Sequence, residues 1–559
     1  MTRGKPYNIA QSLADNAARV PFRPAILFPA GRDARGRAQF TQLTFQQLNE
    51  ECDRYAHGLY EYGIRQGDRT LTMVRPGPEF IALIFALLKI GAVPVMIDPG
   101  MGRKPFLQCV TETEPVNFIG IPPAHILRLL FPRSFKTVRR AITVGRRWFW
   151  GGATLDQLRS PKREPFSTAP TMTEDEAAVA FTSGSTGIPK GVVFLHGMFQ
   201  AQINLLHGEI GYQDGGIDLP GLYIFALYNP ALGVTTILPD MDPAKTAELN
   251  PAYLVEAIQT HGVTYSFGSP TVWKIVAGYC RENQIKLPSM KRILMAGAPV
   301  PPALIRQYAG GTPDDILPNG DVYTPFGATE ALPITMISGQ EILQETAALS
   351  EQGRGMCVGR PTTGNTIRII RITDEPILEW DPALVLPDGE VGEIAVKGPV
   401  VTRQYLHRPQ QTAMAKIREG DEVWHRMGDL GYFGPKGRLW FCGRKAHRVE
   451  TAYGLMLPVP CEEILNHHPD VRRTALVGIG PRGKQEPVLI VEPRPGRMPD
   501  TGQEKQAFIA ALLRLGAEHE QTRTIQTVLF HPSFPVDVRH NAKIQREKLA
   551  VWAAHVLRP

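Results

Sequence analysis

Short apolar runs alternate with helical stretches through the first half of the chain. Residues 69–73 and 93–97 form strand-like runs, and the apolar stretch 79–88 between them predicts a buried helix. Strand, helix and strand joined by short links are typical of parallel α/β layers. A further strand is predicted at 263–267, and an apolar run at 221–228 also predicts a strand. This part of the chain is therefore expected to form parallel α/β layers.

The pattern changes after about residue 355. Short strands at 367–372, 393–396 and 439–441 are separated by turns that contain glycine or proline. This spacing is typical of a small distorted β-barrel or sheet. From about residue 445 the pattern predicts a last α/β unit, with a helix at 505–515 and a strand at 527–530.

The length of 559 residues exceeds what one ordinary core supports, so at least two domains are expected. The change of pattern places the boundary near Gly443-Arg444-Lys445-Ala446. We therefore predict a domain of residues 1–443 and a smaller domain of residues 444–559. With 43% hydrophobic and 21% charged residues, the composition is that of a soluble globular protein.

Charge and cysteine usage narrow the class of protein. The net charge of +7 is small for this length, so it is weak support for nucleic acid as a partner, although it suits anionic substrates. Six scattered cysteines without a C-x-x-C pair indicate reduced thiols, a cytoplasmic setting and no structural zinc. The N-terminus lacks the apolar core of a signal peptide, and the most apolar window, 80–97, is too interrupted to span a membrane.

One stretch combines arginines with aromatic residues. Residues 128–150 read RLLFPRSFKTVRRAITVGRRWFW. Such a pattern suits nucleic acid, an anionic membrane surface or an acidic partner. A helix followed by a strand with solvated arginines is the plainer interpretation, and we favour it. Contact with a membrane surface or a partner stays open.

The residues with the clearest chemistry are 181–192, FTSGSTGIPKGV, which lie between two apolar runs. Glycine permits close backbone approach, the hydroxyls donate hydrogen bonds, and Lys190 adds a positive charge. The spacing differs from the P-loop pattern, and no Ser or Thr follows Lys190. A flexible linker would not be expected between two apolar strands. The stretch therefore predicts a phosphate-binding loop.

Several later motifs are only suggestive one at a time. Thr329-Glu330 could begin a helix, with a capping threonine and an acid that matches the helix dipole. Gly428-Asp429-Leu430-Gly431 could be a simple turn, Arg444 a surface residue, and Lys543 a solvated lysine. Their order and spacing after the phosphate-type loop favour a shared site instead.

Together these motifs resemble the adenylate-forming superfamily of acyl-CoA synthetases, peptide-synthetase adenylation domains and firefly luciferase. The resemblance covers nearly the whole chain. It implies an α/β fold with a large N-terminal domain of two α/β subdomains plus a small distorted β-barrel, and a small mobile C-terminal α+β domain. It also implies ATP and Mg²⁺ as cofactors.

The resemblance implies roles for individual residues on the phosphate side. The loop would hold the β- and γ-phosphates of ATP through Thr182, Ser183, Gly184, Ser185, Thr186, Gly187 and Lys190. Thr329 would contact the α-phosphate and Glu330 would hold Mg²⁺. Lys543, from the small domain, would stabilise the adenylation transition state. Cations are needed here because a carboxylate attacks an already anionic phosphate.

The resemblance also assigns the nucleoside and acyl sides. Gly297, Ala298 and Pro299 would line the adenine site, and Phe326 with Gly327 would lie against the purine. Asp429 would accept hydrogen bonds from the ribose hydroxyls with help from Arg444. His196 matches a histidine near the acyl carboxylate, where it could act as a base or orient the substrate.

The chain departs from the superfamily pattern at the hinge and in the acyl pocket. Ala446 replaces the usual Asp or Lys, and Glu450 replaces a common lysine. The segment 535–543, PVDVRHNAK, is longer than usual, and Ala542 replaces its glycine. Tyr228-Asn229-Pro230 stands where relatives often carry an aromatic–histidine pair. In the superfamily that this chain resembles, the small domain rotates about this hinge to admit a thiol, so these changes put thiol transfer in doubt but leave adenylation untouched.

Within the superfamily the chain looks most like the β-lactone synthetases of bacterial long-chain olefin biosynthesis. This resemblance implies a 2-alkyl-3-hydroxy fatty acid that is adenylated and then closed to a β-lactone by its own 3-hydroxyl. Other enzymes of the olefin pathway are expected as partners. The alternative is a long-chain fatty acyl ligase that transfers the adenylate to CoA or a carrier protein. A third hypothesis, a binding protein that uses 128–147 on nucleic acid or membrane, is weaker.

Overall fold

The computed structural model describes residues 4–182, 189–242, 245–536 and 543–558. Its first sheet has seven strands, mostly parallel, with one antiparallel pair at the end that carries the phosphate-type loop. In spatial order they are Ala153–Thr154, Arg140–Thr143, Asn117–Gly120, Arg69–Met73, Val93–Met96, Glu176–Thr182 and Lys190–Leu195. The predicted strand–helix–strand unit is confirmed, since the buried helix Pro78–Ile90 joins two of these strands.

That helix has an exposed acid, Glu79, in its first turn and a fully buried lysine, Lys89, in its last turn. Lys89 donates to the Asp53 carboxylate and, at 2.8 Å, to Asn49 Oδ1. Both partners lie on helix Phe45–Glu61, so the pair joins the two helices. Thr44 caps this second helix through a reciprocal capping box with Gln47, as the sequence suggests.

A second sheet contains six neighbouring parallel strands and is continuous with the β-rich region. Its parallel part consists of Pro24–Arg32, Thr235–Ile237, Ile217–Asp218, Tyr265–Gly268, Arg292–Met295 and Asp321–Ala328. Ala38–Thr44 pairs antiparallel at one edge. The β-rich strands continue from the other edge: Ala331–Ser338, Met356–Pro361, Arg438–Arg444, Glu422–Gly434, Lys416–Glu419, Gly392–Lys397 and Thr366–Ile370.

This continuity positions the candidate site. Strand Met356–Pro361 pairs with both Ala331–Ser338 and Arg438–Arg444, so hydrogen bonds link the second α/β layer directly to the β-rich region. The expected fold class, an adenylate-forming α/β architecture with a β-rich part after residue 355, is confirmed. One apolar cluster, which includes Ile334, Ile394 and Leu439, spans the junction.

The last part of the chain has its own apolar clusters. They are built only from residues in the range 449–553. Strands Val471–Ile479, Glu486–Pro493 and Thr527–Phe530 form a three-stranded sheet, while Val449–Thr451 and Gly454–Met456 form a short hairpin. Its helices are Pro458–Leu465, Gly502–Ala517 and Arg546–Val556.

Helices cover the sheets of the larger part. Besides those already given they are Ile9–Arg19, Arg103–Thr113, Pro122–Leu130, Leu155–Leu158, His196–Gly208, Asn229–Leu232, Pro251–His261, Pro270–Glu282, Pro302–Ala309 and Pro409–Ala415, with an irregular helical segment at 339–354. No helix among the described residues is long and apolar enough to cross a membrane.

One predicted strand is wrong. Residues 221–228 do not form a strand but contain the 3-10 helix Tyr223–Leu227. Its aromatic side chains pack locally, since the rings of Phe225 and Phe267 stack with centroids 3.9 Å apart. An apolar run of this length suits either a buried strand or a buried helical turn, so periodicity does not separate them.

Candidate active site

Thr329 and Glu330 form the turn of a tight hairpin. They connect strands Asp321–Ala328 and Ala331–Ser338, in which Ala328 pairs with Ala331. The alternative interpretation of these residues as a helix start is therefore wrong. Gly327 is required for close packing, because a Cβ there would lie 2.4 Å from the Ala331 carbonyl oxygen. The hairpin holds Glu330, a half-buried acid, at the sheet edge.

Tyr405 joins this acid to the strand that follows the phosphate-type loop. Its hydroxyl donates to Glu330 Oε1 at 2.7 Å, and the Lys190 ammonium lies 4.8 Å from the centre of its ring. The Leu406 amide also donates to the Gly191 carbonyl at 2.8 Å. Burial and the Glu330 charge raise the pKa of Tyr405, so its hydroxyl stays a donor. Sequence reasoning missed Tyr405, because its contacts are with Glu330, 75 positions earlier in the chain, and with Lys190, 215 positions earlier.

A buried lysine lies beneath the same acid. Lys416 donates to the carbonyl and, at 3.0 Å, to the hydroxyl of Thr402, whose amide in turn donates to the Glu330 carbonyl at 2.9 Å. Burial lowers the pKa of Lys416 to about 7, and the Glu330 charge partly opposes this lowering. His425 is also buried, and burial together with the Lys416 charge holds its pKa well below the usual range. The acid is thus supported by a dense polar layer.

The candidate adenine-binding residues lie side by side at the carboxyl edge of the second sheet. Gly297, Ala298 and Pro299 follow strand Arg292–Met295, which pairs in parallel with the strand that carries Phe326. The Phe326 ring packs at 5.6 Å from that of Phe441. Loops at the carboxyl ends of parallel strands form a crevice in open α/β sheets, so this arrangement suits a nucleoside.

Asp429 and Arg444 face each other on paired strands. They are register partners, and Arg444 Nη1 lies 3.0 Å from Asp429 Oδ1 while donating to the Met427 carbonyl at 3.2 Å. Among the described residues nothing donates an aligned hydrogen bond to this buried oxygen. Burial raises the pKa of Asp429, and the charges of Arg444 and then Lys543 oppose the rise. The structure therefore brings Asp429, Arg444 and Lys543 into one electrostatic group.

His196 begins helix His196–Gly208 and is buried. The Ile9 amide lies 3.4 Å from His196 Nδ1 and donates to it, which leaves the ring proton on Nε2. Burial lowers the pKa of His196 to about 4, and the nearby Asp175 charge only partly opposes this. The ring is therefore neutral at pH 7, and its accepting nitrogen is already engaged. This arrangement suits donation from Nε2 better than the role of a base.

The same helix borders a polar link to the Glu330 hairpin. The Tyr228 hydroxyl donates to Gln202 Oε1 at 2.7 Å, and Gln202 Nε2 donates to the Leu332 carbonyl at 2.9 Å. Asn229 lies in the core instead, where its amide donates to Asp218 at 2.8 Å and to Thr236 at 3.0 Å. The interpretation of Asn229 as part of an altered pocket wall is therefore wrong.

Part of the candidate site lies outside the described residues. Ser183, Gly184, Ser185, Thr186 and Gly187 fall there, as does Ala542. Thr182 ends strand Glu176–Thr182, directly opposite Lys190. The strand–loop–strand arrangement predicted for this segment is confirmed on both sides of the gap.

The segment 445–450, where a hinge is predicted, is linked to the β-rich region by ion pairs. Arg448 Nη2 and Arg482 Nη1 both lie 2.5 Å from Asp374 Oδ2. Glu450, the acid at the departing position, accepts from Arg448 Nε at 2.6 Å. Lys445 donates to the buried Glu393 at 3.0 Å. The charge of Glu450 is thus paired within the hinge itself.

The profile of the AMP-binding enzyme family matches residues 13–406. The chain belongs to this family and is an adenylate-forming ligase. It is 47% identical over 558 residues to a protein of Stenotrophomonas maltophilia named olefin β-lactone synthetase, with 98% of each chain covered. A protein of the same name from Xanthomonas campestris pv. campestris is 46% identical and covers 98% of this chain and 97% of the relative. The predicted superfamily is confirmed.

Solved structures agree on the fold. The amide bond synthetase of Marinactinospora thermotolerans has a TM-score of 0.76 at 22% identity, covering 98% of this chain and 99% of that one. An O-succinylbenzoate–coenzyme A synthetase from Bacillus subtilis, in complex with AMP, has a TM-score of 0.73 at 19% identity, covering 98% of each chain. Both support the expected fold class.

Proposed function

We propose that this chain adenylates a long-chain 2-alkyl-3-hydroxy fatty acid with ATP and then closes it to a β-lactone, releasing pyrophosphate and AMP. The observation that carries the proposal is the identity of 46–47% to two olefin β-lactone synthetases across almost the full length of each chain. The two domains we propose are residues 1–443, with the nucleotide and acyl sites, and residues 444–559, with Lys543. The proposed setting is the cytoplasm, beside other enzymes of the olefin pathway.

The residues present fit an adenine nucleotide. Asp429 Oδ1 is buried and can still accept, which suits the two hydroxyls of a ribose. Phe326 and residues Gly297, Ala298 and Pro299 would hold the base against the carboxyl edge of the sheet. The phosphates would lie toward Lys190 and the loop of residues 182–187, with Thr329 at the α-phosphate.

The residues also fit Mg²⁺ bound with the help of the nucleotide. Glu330 offers a hard oxygen ligand, and no group of three or more candidate metal ligands occurs in the described part of the chain. Mg²⁺ usually keeps several waters and binds through one or two carboxylates plus substrate phosphates. When bound it would neutralise phosphate charge. Tyr405 would fix the Glu330 carboxylate by holding Oε1, leaving the other oxygen for the ion.

The first step forms a bond between a carboxylate oxygen and the α-phosphorus while the bond to the β-phosphate breaks. Lys543 would offset the charge that develops there. His196 Nε2–H would orient the carboxylate by donating to it. In the second step the 3-hydroxyl oxygen attacks the acyl carbon, AMP departs and the hydroxyl loses its proton. A pocket that holds the near-attack geometry can lower the activation barrier by roughly 7–11 kcal/mol. The ring closure needs no external thiol.

Three features of the hinge support the absence of a thiol acceptor. Ala446 and Glu450 replace residues common in relatives, and Glu450 is paired with Arg448. Arg448 and Arg482 together hold Asp374 of the larger domain. Rotation of the smaller domain would have to break the two pairs with Asp374, whereas ring closure by the substrate's own hydroxyl would not.

The test is a product analysis without CoA. The protein is incubated with ATP, Mg²⁺ and a 2-alkyl-3-hydroxy fatty acid, and the products are identified by NMR. AMP together with a β-lactone is the expected result. If the protein instead makes acyl-CoA from a simple fatty acid when CoA is added, and no lactone from the hydroxy acid, the long-chain acyl ligase is the correct function.

A further inference from the structure

One group of exposed side chains takes no part in the site described above. We call it the basic-aromatic surface and define it as the side chains of Leu129, Leu130, Arg133, Lys136, Arg139, Arg146, Arg147, Trp148 and Phe149. All of them are exposed. The exposed fractions of the two aromatic rings are 52% for Trp148 and 80% for Phe149, and that of Leu130 is 67%. Trp148 and Phe149 are neighbours in the chain, and Leu129 and Leu130 lie at the end of the helix Pro122–Leu130, whose His125 stacks on Trp150. Exposed apolar side chains that lie together mark interaction sites more often than scattered ones do.

A rigid base holds the two exposed rings in place. Trp150 is buried, donates from Nε1 to Thr143 Oγ1 at 2.9 Å, and stacks on His125 at 5.1 Å with the ring planes 6° apart. His125 in turn bonds the Ile142 carbonyl at 3.0 Å through Nε2. Trp148 and Phe149 contact Trp150 at 5.5 and 5.3 Å. Their exposure is therefore fixed by the fold of this subdomain.

The charge of this region has one sign. Residues 115–155 contain seven basic side chains and no acidic one, with Glu114 and Asp156 as the flanking acids. Many cations elsewhere in the described structure are paired with carboxylates, as Arg159 is with Glu51 at 2.6 Å and Arg408 with Glu112 at 2.6 Å. The surface therefore presents a positive field that its own sequence segment cannot neutralise, and an anionic partner would complement it.

The apolar side chains decide between two anionic partners. Nucleic acid uses aromatic rings for stacking on bases, but aliphatic side chains such as Leu129 and Leu130 gain little there. At a bilayer, Trp, Phe and Leu enter the boundary between headgroups and acyl chains while flanking arginines and lysines contact anionic headgroups. All three types occur among the exposed side chains of this one segment, residues 129–149, and this favours lipid.

We propose that the basic-aromatic surface docks this protein on the surface of an anionic lipid bilayer. Trp148 and Phe149 enter the headgroup boundary, and the five surface cations contact the lipid phosphates. The proposal does not depend on the lactone reaction, because docking needs neither ATP nor an acid substrate.

The test is binding of the full chain to vesicles of phosphatidylcholine with and without phosphatidylglycerol, without ATP. Binding to the anionic vesicles is expected to be stronger and to weaken with salt. The variant Arg133→Gln/Lys136→Gln/Arg139→Gln should lose affinity for anionic vesicles by roughly fivefold for each cation removed. The variant Trp148→Ser/Phe149→Ser should bind both vesicle types about tenfold or more weakly.

Matched control variants remove the same chemistry elsewhere. Lys484→Gln/Lys505→Gln/Arg514→Gln removes three exposed cations of residues 444–559, and Phe22→Ser/Tyr453→Ser removes two exposed rings. Both should bind vesicles like the parent protein. Retained AMP formation in every variant would show that the fold is intact, and it separates this test from that of the proposed function.

Two results would overturn the docking proposal. One is the absence of binding of the parent protein to anionic vesicles at low salt, or binding of both surface variants that is as tight as that of the parent protein. The other is that the parent protein binds single-stranded DNA more tightly than vesicles at the same salt concentration, and that the two surface variants lose this DNA binding. A second measurement uses vesicles with brominated acyl chains: quenching of protein fluorescence should fall in Trp148→Phe, and unchanged quenching contradicts the proposal.

Discussion

The nucleotide side and the acyl side of the candidate site are built from different kinds of groups. Charged groups act on both carboxylates: Arg444 Nη1 lies 3.0 Å from Asp429 Oδ1, and the charges of Lys416 and Glu330 interact. On the acyl side the hydrogen-bonding groups are neutral: the His196 imidazole with its pKa lowered to about 4, the Tyr228 hydroxyl whose pKa is raised by burial, and the Gln202 amide, with the Asp175 carboxylate as a nearby charge. Phosphates are stabilised by cations, whereas a long apolar acid binds in an apolar pocket that excludes water and has a few oriented hydrogen-bond donors.

This difference separates what each side can determine. In the proposed reaction the charged side determines where the nucleotide is cleaved. The neutral side would position one carboxylate and one hydroxyl of the substrate. Variants should therefore divide cleanly between loss of adenylation and changes tied to the acid.

The largest effect is expected at Lys543. Lys543→Ala should lower the rate of pyrophosphate release by about 10²–10³-fold, because the ammonium acts on charge that develops in the transition state. Affinity for ATP should change little. Pyrophosphate release measured in single turnovers, with ATP binding measured by calorimetry, checks this.

The control for that variant is Lys548→Ala, which removes an exposed lysine from helix Arg546–Val556. It should keep the parent rate. A normal rate of pyrophosphate release for Lys543→Ala would contradict the role of this lysine in the adenylation transition state.

On the neutral side, His196 should make stability depend on pH. Burial lowers its folded pKa to about 4, below the unfolded value of about 6.5, so the unfolded chain binds the proton first as pH falls. The contribution of His196 to the free energy of unfolding is fully present above pH 6.5 and falls progressively toward pH 4, by up to about 3 kcal/mol. Denaturant unfolding of His196→Gln between these pH values should show a smaller loss.

His125 provides a comparison, because burial also lowers its pKa to about 4 far from the site. His125→Gln should reduce the same loss of stability while leaving the KM for the acid alone, whereas His196→Gln should raise that KM. An equal change in the KM for the acid in both variants would contradict the proposal that His196 orients the acid carboxylate.

The smallest effect is expected at Tyr405. Tyr405→Phe keeps the ring beside Lys190 but removes the hydrogen bond to Glu330 Oε1. A hydrogen bond to a charged group contributes about 1.5–3 kcal/mol, so the Mg²⁺ concentration for half-maximal activity should rise by roughly tenfold or more. Titration with Mg²⁺ at saturating ATP measures it.

The variant Tyr432→Phe serves as the control, since the Tyr432 hydroxyl donates to the Arg354 carbonyl away from Glu330. Its Mg²⁺ dependence should match that of the parent. An unchanged titration for Tyr405→Phe would show that the tyrosine does not position the acid.

Sequence reasoning reached the parallel layers, the β-rich region and the ordered set of motifs because each depends on local patterns. It placed Glu330 and Asp429 in one site because their spacing matches a known superfamily. It missed Tyr405 and Lys416, whose contacts with the Glu330 hairpin arise only from tertiary packing. It misjudged Asn229 because a polar residue beside an apolar run gives no sign of whether it faces a pocket or a buried partner such as Asp218.

The continuity of the second sheet with the β-rich region was also beyond local patterns. The pairing of Met356–Pro361 with strands on both sides joins segments that are far apart along the chain. Long-range pairing of this kind is set by tertiary register, which alternation of apolar and polar residues does not encode.

In the proposed reaction the acid is activated at its carboxylate and closed by its own hydroxyl. Its most direct test uses a 2-alkyl-3-hydroxy acid with both carboxylate oxygens labelled by ¹⁸O, and mass spectrometry of both products. One labelled oxygen in AMP and one in the lactone are expected. Unlabelled AMP with two labelled oxygens in the lactone would mean that the hydroxyl is activated instead, and it would contradict activation at the carboxylate.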